Sequence, residues 1–105
     1  MRIVLAAADP EATEWLAGIL GAEGFSVVVL PEPDPAAPEL RGAELLIADE
    51  SAASSLGDAG PTRRMLLSPR GGTVDLTQID RFADVIAVPS VPEEVIARVR
   101  HALET

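Results

Sequence analysis

The side chains able to do chemistry in this sequence are few, and several fall at the ends of short apolar runs. Asp9 closes the run Ile3 to Ala8, Asp49 and Glu50 follow Leu-Leu-Ile-Ala, and Ser68 follows Met-Leu-Leu. Oxygen groups at such positions can serve as ligands for a hard cation such as Mg²⁺, or as caps for the helix that follows. Nitrogen and sulfur chemistry is nearly missing. All eight basic residues are Arg, which excludes Schiff-base chemistry and a Walker-type phosphate loop, since both need a lysine amine. With no Cys there are no disulfides, thiolate nucleophiles or cysteine metal sites, and the lone His101 cannot build an imidazole cluster or a catalytic triad.

The elements that must position these groups alternate in type along the chain. Residues 2–7 are apolar throughout, as a central parallel strand should be. Asp9 and Pro10 then start a helix, an acceptor side chain at the cap followed by a preset φ, and this capping role is preferred for Asp9 over metal ligation. From Glu11 to about Ala22, Ala12, Leu16, Ile19 and Leu20 share one face, and Gly24 ends the helix. Phe25 to Leu30 is β-branched and short, a second strand. Pro31, Pro33, Pro35 and Pro38 then limit any helix to a turn or two around Ala36–Leu40.

Glu44 to Asp49 predicts a third strand ending in a carboxylate, and Ser51 to Gly60 a short helix or loop. Arg63 to Ser68 predicts a fourth strand. A weak helical stretch opens at Gly71 and Gly72 and runs to Phe82, and Asp84 to Val88 predicts the fifth strand. Ser90, Pro92 and Glu93 resemble a capping box for a last helix whose buried stripe is Val95, Ile96, Val99 and Leu103. Short strands separated by helical segments argue for a parallel sheet covered on both faces by right-handed crossovers.

The 105 residues make one domain, 1–105, with a core carried by aliphatic side chains: 48% of the chain is hydrophobic, but Trp15, Phe25 and Phe82 are its only aromatics. A net charge of −9 opposes direct binding of nucleic acid. The run Ile3 to Ala8 is too short for a signal-peptide core or a membrane span, so a cytoplasmic protein without a membrane anchor is expected. Gly18, Gly21 and Gly24 mimic a glycine-rich motif but lie within and after a helix, which argues for packing and termination and against a dinucleotide fingerprint.

In open α/β sheets, ligands bind at the carboxyl ends of the strands. Read in that order, Arg-Ile-Val-Leu-Ala-Ala-Ala-Asp-Pro, Glu-Leu-Leu-Ile-Ala-Asp, Met-Leu-Leu-Ser and Ala-Asp-Val-Ile-Ala-Val-Pro resemble the motifs of a bacterial response-regulator receiver domain. The resemblance covers nearly the whole chain. It implies a three-layer (βα)5 flavodoxin-like, CheY-like sandwich with a five-stranded parallel sheet in order 2-1-3-4-5, here with shortened middle helices.

The same resemblance assigns positions. Asp49 stands at the phosphoacceptor position and Ser68 at the hydroxyl switch position. Ala7 and Ala8 stand where receivers carry the two acidic residues that hold Mg²⁺. Val88, before Pro89, replaces the lysine, and Val85 replaces the aromatic switch residue. Phosphoryl transfer needs charge neutralisation on the transferred group, and one carboxylate without an acidic pair leaves mostly water around a cation. The implied protein is therefore an atypical or pseudo-receiver, not an enzyme, with no cofactor. Asp49 is either a strand-end acid capping the next helix or a group with a residual functional role. Arg70, two residues after Ser68, is a candidate ion-pair partner for Asp49 in place of the lysine and metal.

The function expected is a phosphorylation-independent interaction module in signal transduction, docking a kinase, an output domain or an assembly factor, with a second copy of the chain as a further candidate. Its face would draw on Arg81, Phe82, Ile86, Arg98 and His101, while the small basic edge of Arg98, Arg100 and His101 on the last helix reads first as a solvated face. The alternative is phosphorylation of Asp49 in a two-component phosphorelay, as the N-terminal part of a transcription regulator or a pilus-assembly ATPase. A cofactor carrier on the same fold is the weakest option. Ala6 to Asp9 lacks the hydroxyls of a flavin phosphate loop, and no strand-end loop holds the His or Cys that cobalamin or phosphotransfer carriers use.

Overall fold

The computed structural model describes residues 2–30, 32–61, 63–69, 84–88 and 91–104. Five strands run through it: β1 (Arg2–Ala6), β2 (Ser26–Val29), β3 (Leu45–Ala48), β4 (Arg64–Pro69) and β5 (Asp84–Val88). They form one parallel sheet in the order β2-β1-β3-β4-β5. Among the described residues three helices accompany them, α1 (Pro10–Ala22), α2 (Glu50–Leu56) and α3 (Pro92–Glu104), with a 3-10 turn at Pro38–Leu40. The weak helical stretch read between Gly71 and Phe82 lies outside the described residues, as does Ser90 of the proposed capping box.

The alternation of side chains along the strands divides the core in two. Ile3 and Leu5 of β1, Leu45 and Ile47 of β3, Met65 and Leu67 of β4 and Ile86 of β5 share one layer with Leu16 and Leu20 of α1 and Val95 and Val99 of α3. The intervening residues Val4, Ala6, Leu46 and Ala48 face the other way, onto Leu40, Ala52, Ala53 and Leu56. β1 and β3 are central, so both of their faces are covered, and this is why they are apolar at nearly every position. Among the described residues this second layer is rich in alanine, which lets the short helix α2 and the turn at Pro38–Leu40 lie close to the sheet.

Helix termination follows the chemistry of Gly24. Its φ of 94° is a left-handed value that costs glycine little. The N–H of Phe25 donates to Leu20 O at 3.1 Å and that of Gly24 to Gly21 O at 3.1 Å, the paired bonds of a Schellman ending. Phe25 then packs against the α1–α3 side of the core.

Two expectations about burial are corrected here. Ile86, assigned to an exposed docking face, is 1% exposed, because its strand position points it into the layer beneath α1 and α3. Ile96 is only half-buried, while Ala102 joins Val95, Val99 and Leu103 as the buried stripe of α3. At about 100° per residue, Ile96 is rotated to the edge of a stripe centred on Val95, Val99 and Ala102.

Candidate functional site at the carboxyl ends of the strands

The carboxyl ends of β1 and β3 are neighbours through the register Ala6↔Ala48, so the segments leaving them diverge from one point. Asp49 sits there. Its backbone is extended, at φ −76° and ψ 173°, and it caps α2. Oδ1 accepts the N–H of Ala52 at 2.7 Å, satisfying one of the free donors of the first helical turn. Oδ2 accepts the N–H of Ala8 at 2.9 Å, across the gap to the β1–α1 connection. The Asp49 N–H donates in turn to Ala6 O at 3.3 Å. One carboxylate thus joins two connections that the sheet only brings side by side.

Asp9 is engaged in the same way at α1. Its Oδ1 accepts the N–H of Glu11 at 3.0 Å, with Pro10 in the first turn as the sequence predicts. Thr13, one turn on, is buried and donates its hydroxyl to Pro10 O at 3.0 Å. Ala7 is half-buried and Ala8 exposed, and neither side chain adds an oxygen to the site. Ser68, in β4, is buried with 9% exposure and lies in register with Ala87 of β5.

A receiver fold implies a divalent cation at this place, and the donors present do not fit one. Asp49 spends both oxygens on backbone amides, and Asp9 spends one on its own helix. Among the described residues no group of three or more His, Cys, Asp or Glu side chains converges to hold a metal ion. A hard cation at the Asp49 carboxylate would share its oxygens with a helix cap and a loop tether, and no second described carboxylate converges there to help hold it. What the arrangement does well is fix geometry: carboxylate-to-amide bonds are charge-assisted and stronger than neutral ones.

Arg70, Arg81 and Phe82 lie outside the described residues. The same holds for the side chains of Val85 and Val88, although β5 itself is placed with Pro69↔Val88 and Leu66↔Val85. On α3, Arg98 pairs with Glu94 one turn earlier at 3.0 Å, and Arg100 pairs with Glu23 at the end of α1 at 3.0 Å. His101 is exposed in the last turn of α3. The basic edge is therefore laced to acidic neighbours.

Sequence reasoning missed the work done by Arg63 and Arg64. Arg63 Nη1 donates to Leu103 O at 2.6 Å, satisfying a carbonyl at the end of α3. Arg64 gathers the α2–β4 connection: Nη2 donates to Ala59 O at 2.7 Å, Nε to Pro61 O at 3.3 Å and Nη1 to Gly57 O. Adjacent arginines opening a strand carry no sequence signal for either role, because their acceptors are main-chain carbonyls.

Comparison with solved structures agrees with the fold. The chain superposes on NtrX from Brucella abortus, solved in complex with ADP, with a TM-score of 0.82 at 22% identity, covering 98% of this chain and 26% of that one. It thus spans about a quarter of that protein's length. The BeF3-activated N-terminal receiver domain of Klebsiella pneumoniae RstA matches at TM-score 0.77 and 24% identity over 100% of both chains. The non-phosphorylated receiver domain of HemR from Leptospira biflexa matches at 0.66 and 17%, covering 99% of this chain and 94% of that one. No protein-family model matches the sequence, and no curated protein does. The likeness is one of fold: this is a CheY-like α/β domain with the architecture of response-regulator receivers.

Proposed function

We propose that the chain is an atypical receiver domain that acts in cytoplasmic signalling as a protein–protein interaction module, independently of phosphorylation and without catalytic turnover. The observation that carries this reading is the double engagement of Asp49. Its two oxygens hold the amides of Ala8 and Ala52, where a phosphoacceptor would need them for a cation and an incoming phosphoryl group. Ala7 and Ala8 supply no carboxylate to compensate. The partners that fit are proteins: a kinase, an output domain, an assembly factor or a second copy. A net charge of −9 argues against nucleic acid, and no described helix is long and apolar enough to cross a membrane.

A second reading, phosphorylation of Asp49 in a phosphorelay, draws support from the position of that carboxylate at the end of β3 and of Ser68 in β4. Titration with Mg²⁺ and beryllofluoride, followed by amide NMR, separates the two. The interaction-module reading expects the Ala8, Asp49 and Ala52 resonances to stay in place. Saturable shifts at those amides would overturn it.

A further inference from the structure

At the end of the sheet opposite Asp49, the segments that lead into β3 and β4 border an open cleft of about 410 Å³. We propose that this cleft binds a small organic acid, one carboxylate carried on an apolar body. The site goes beyond the interaction-module reading and is independent of Asp49.

The cleft follows from the prolines between 31 and 38. They hold the connection from β2 to β3 to one turn, Pro38–Leu40, which covers less of the sheet than a full helix would. Both walls are held in place. On one side the N–H of Arg41 donates to Pro38 O at 3.1 Å and that of Leu40 to Ala37 O at 3.2 Å. On the other, Arg64 gathers the carbonyls of Gly57, Ala59 and Pro61. The walls meet at Gly60, whose φ is 86° and where an added Cβ would lie 3.1 Å from Leu40 Cδ2, so only glycine permits the approach. A preformed cleft of this size lies within the range of small-molecule sites, about 300–1,000 Å³.

The chemistry of the lining selects the ligand. Pro35, Ala36, Leu40, Ala43, Ala59 and Pro61 offer an apolar surface, and Arg41 is the one charged residue among the described lining residues. Arg63, Arg64, Arg98 and Arg100 are engaged with the chain itself, whereas the exposed Arg41 guanidinium has no hydrogen bond or ion pair with a described residue. Such a group offers a carboxylate two parallel N–H donors. The amides of Gly42 and Gly60, also in the lining, have no acceptor among the described residues and add donors beside it. The net charge of −9 resides elsewhere: Asp34, Glu39, Glu44 and Asp58, adjacent in sequence, do not line the cleft, and Asp34 holds the Ala36 amide at 2.9 Å.

The test is amide NMR of the whole chain with 4-phenylbutyrate as the probe and 4-phenylbutyramide as its neutral counterpart, both at fixed pH and salt. The expected result is saturable shifts at Gly42, Ala43, Ala59 and Gly60 with Ala8, Asp49 and Ala52 unmoved. The amide should bind about fivefold or more weakly than the acid. Arg41→Gln should reduce the acid to the level of the amide and leave the amide's own affinity unchanged, with the melting temperature kept. Ala59→Leu, which fills the cleft, should weaken both.

No saturable shift, equal affinity for acid and amide, or an undiminished response in Arg41→Gln would each overturn the assignment. Shifts centred on another surface would do the same. An acetylated peptide with an apolar carboxyl-terminal residue that binds more tightly than the free acid would make the source a partner's chain end and overturn the small-molecule ligand. All of these failures leave the Asp49 geometry untouched.

Discussion

The carboxylate of Asp49 accepts the amide proton of Ala8, 41 residues earlier in the chain, at 2.9 Å, while its other oxygen caps α2. One strand-end carboxylate thereby ties two connections together. Several measurable consequences come from that tie and from the packing around it.

Replacing Asp49 removes a helix cap and a loop tether together. Asp49→Ala should lower stability by about 1–2 kcal/mol, the usual cost of losing an N-cap, and should speed hydrogen exchange at the amides of Ala8 and Ala52. Asp49→Asn keeps one carbonyl acceptor and should lose less, with faster exchange at only one of the two amides. Urea unfolding and amide exchange read both effects. Unchanged exchange at Ala8 in Asp49→Ala would show that the tether contributes nothing.

Two glycines of α1 and its end should respond to alanine with opposite signs. Gly18→Ala adds a methyl into open space in a helix interior and should stabilise by up to about 1 kcal/mol. Gly24→Ala forces a side chain to adopt φ 94° and should destabilise by about 1–2 kcal/mol. Thermal melting of the two variants side by side is sufficient.

Arg64 holds three main-chain carbonyls of the α2–β4 connection with one planar group. Arg64→Ala should cost about 1–3 kcal/mol, and Arg64→Lys should recover little of it, because a point-like ammonium cannot span the three acceptors. Full recovery by lysine in chemical denaturation would mean that charge alone matters there.

The thin second layer of the core should reject bulk. Ala48 is fully buried between β3 and the alanines of α2, so Ala48→Leu should destabilise by about 1–3 kcal/mol through overpacking. On the thicker side, Leu16→Ala should cost about 2–5 kcal/mol through the cavity it leaves. Urea midpoints give both values.

Much of the architecture was legible because the periodicities are strong. The unbroken apolar runs at Ile3 to Ala6 and Leu45 to Ala48 mark strands covered on both faces, and the prolines at 31–38 leave room only for the turn at Pro38–Leu40. Asp9 and Gly24 read as cap and terminator because each is a local, single-residue signal. Less was legible at the site. The capping role of Asp49 was one of two options, but its bond to Ala8 depends on a main-chain donor that any residue except proline carries, so no side-chain pattern announces it. Ile86 was expected on a docking face and is buried because its strand position points it into the core, and Ile96 was expected in the stripe of α3 but lies at its margin, where a few tens of degrees of rotation decide burial.

The central claim is that Asp49 serves structure in place of phosphoryl chemistry, and intact-protein mass spectrometry tests it most directly. After incubation with acetyl phosphate and Mg²⁺, the account predicts a chain of unaltered mass. Addition of one phosphoryl group, lost in Asp49→Asn, would contradict it.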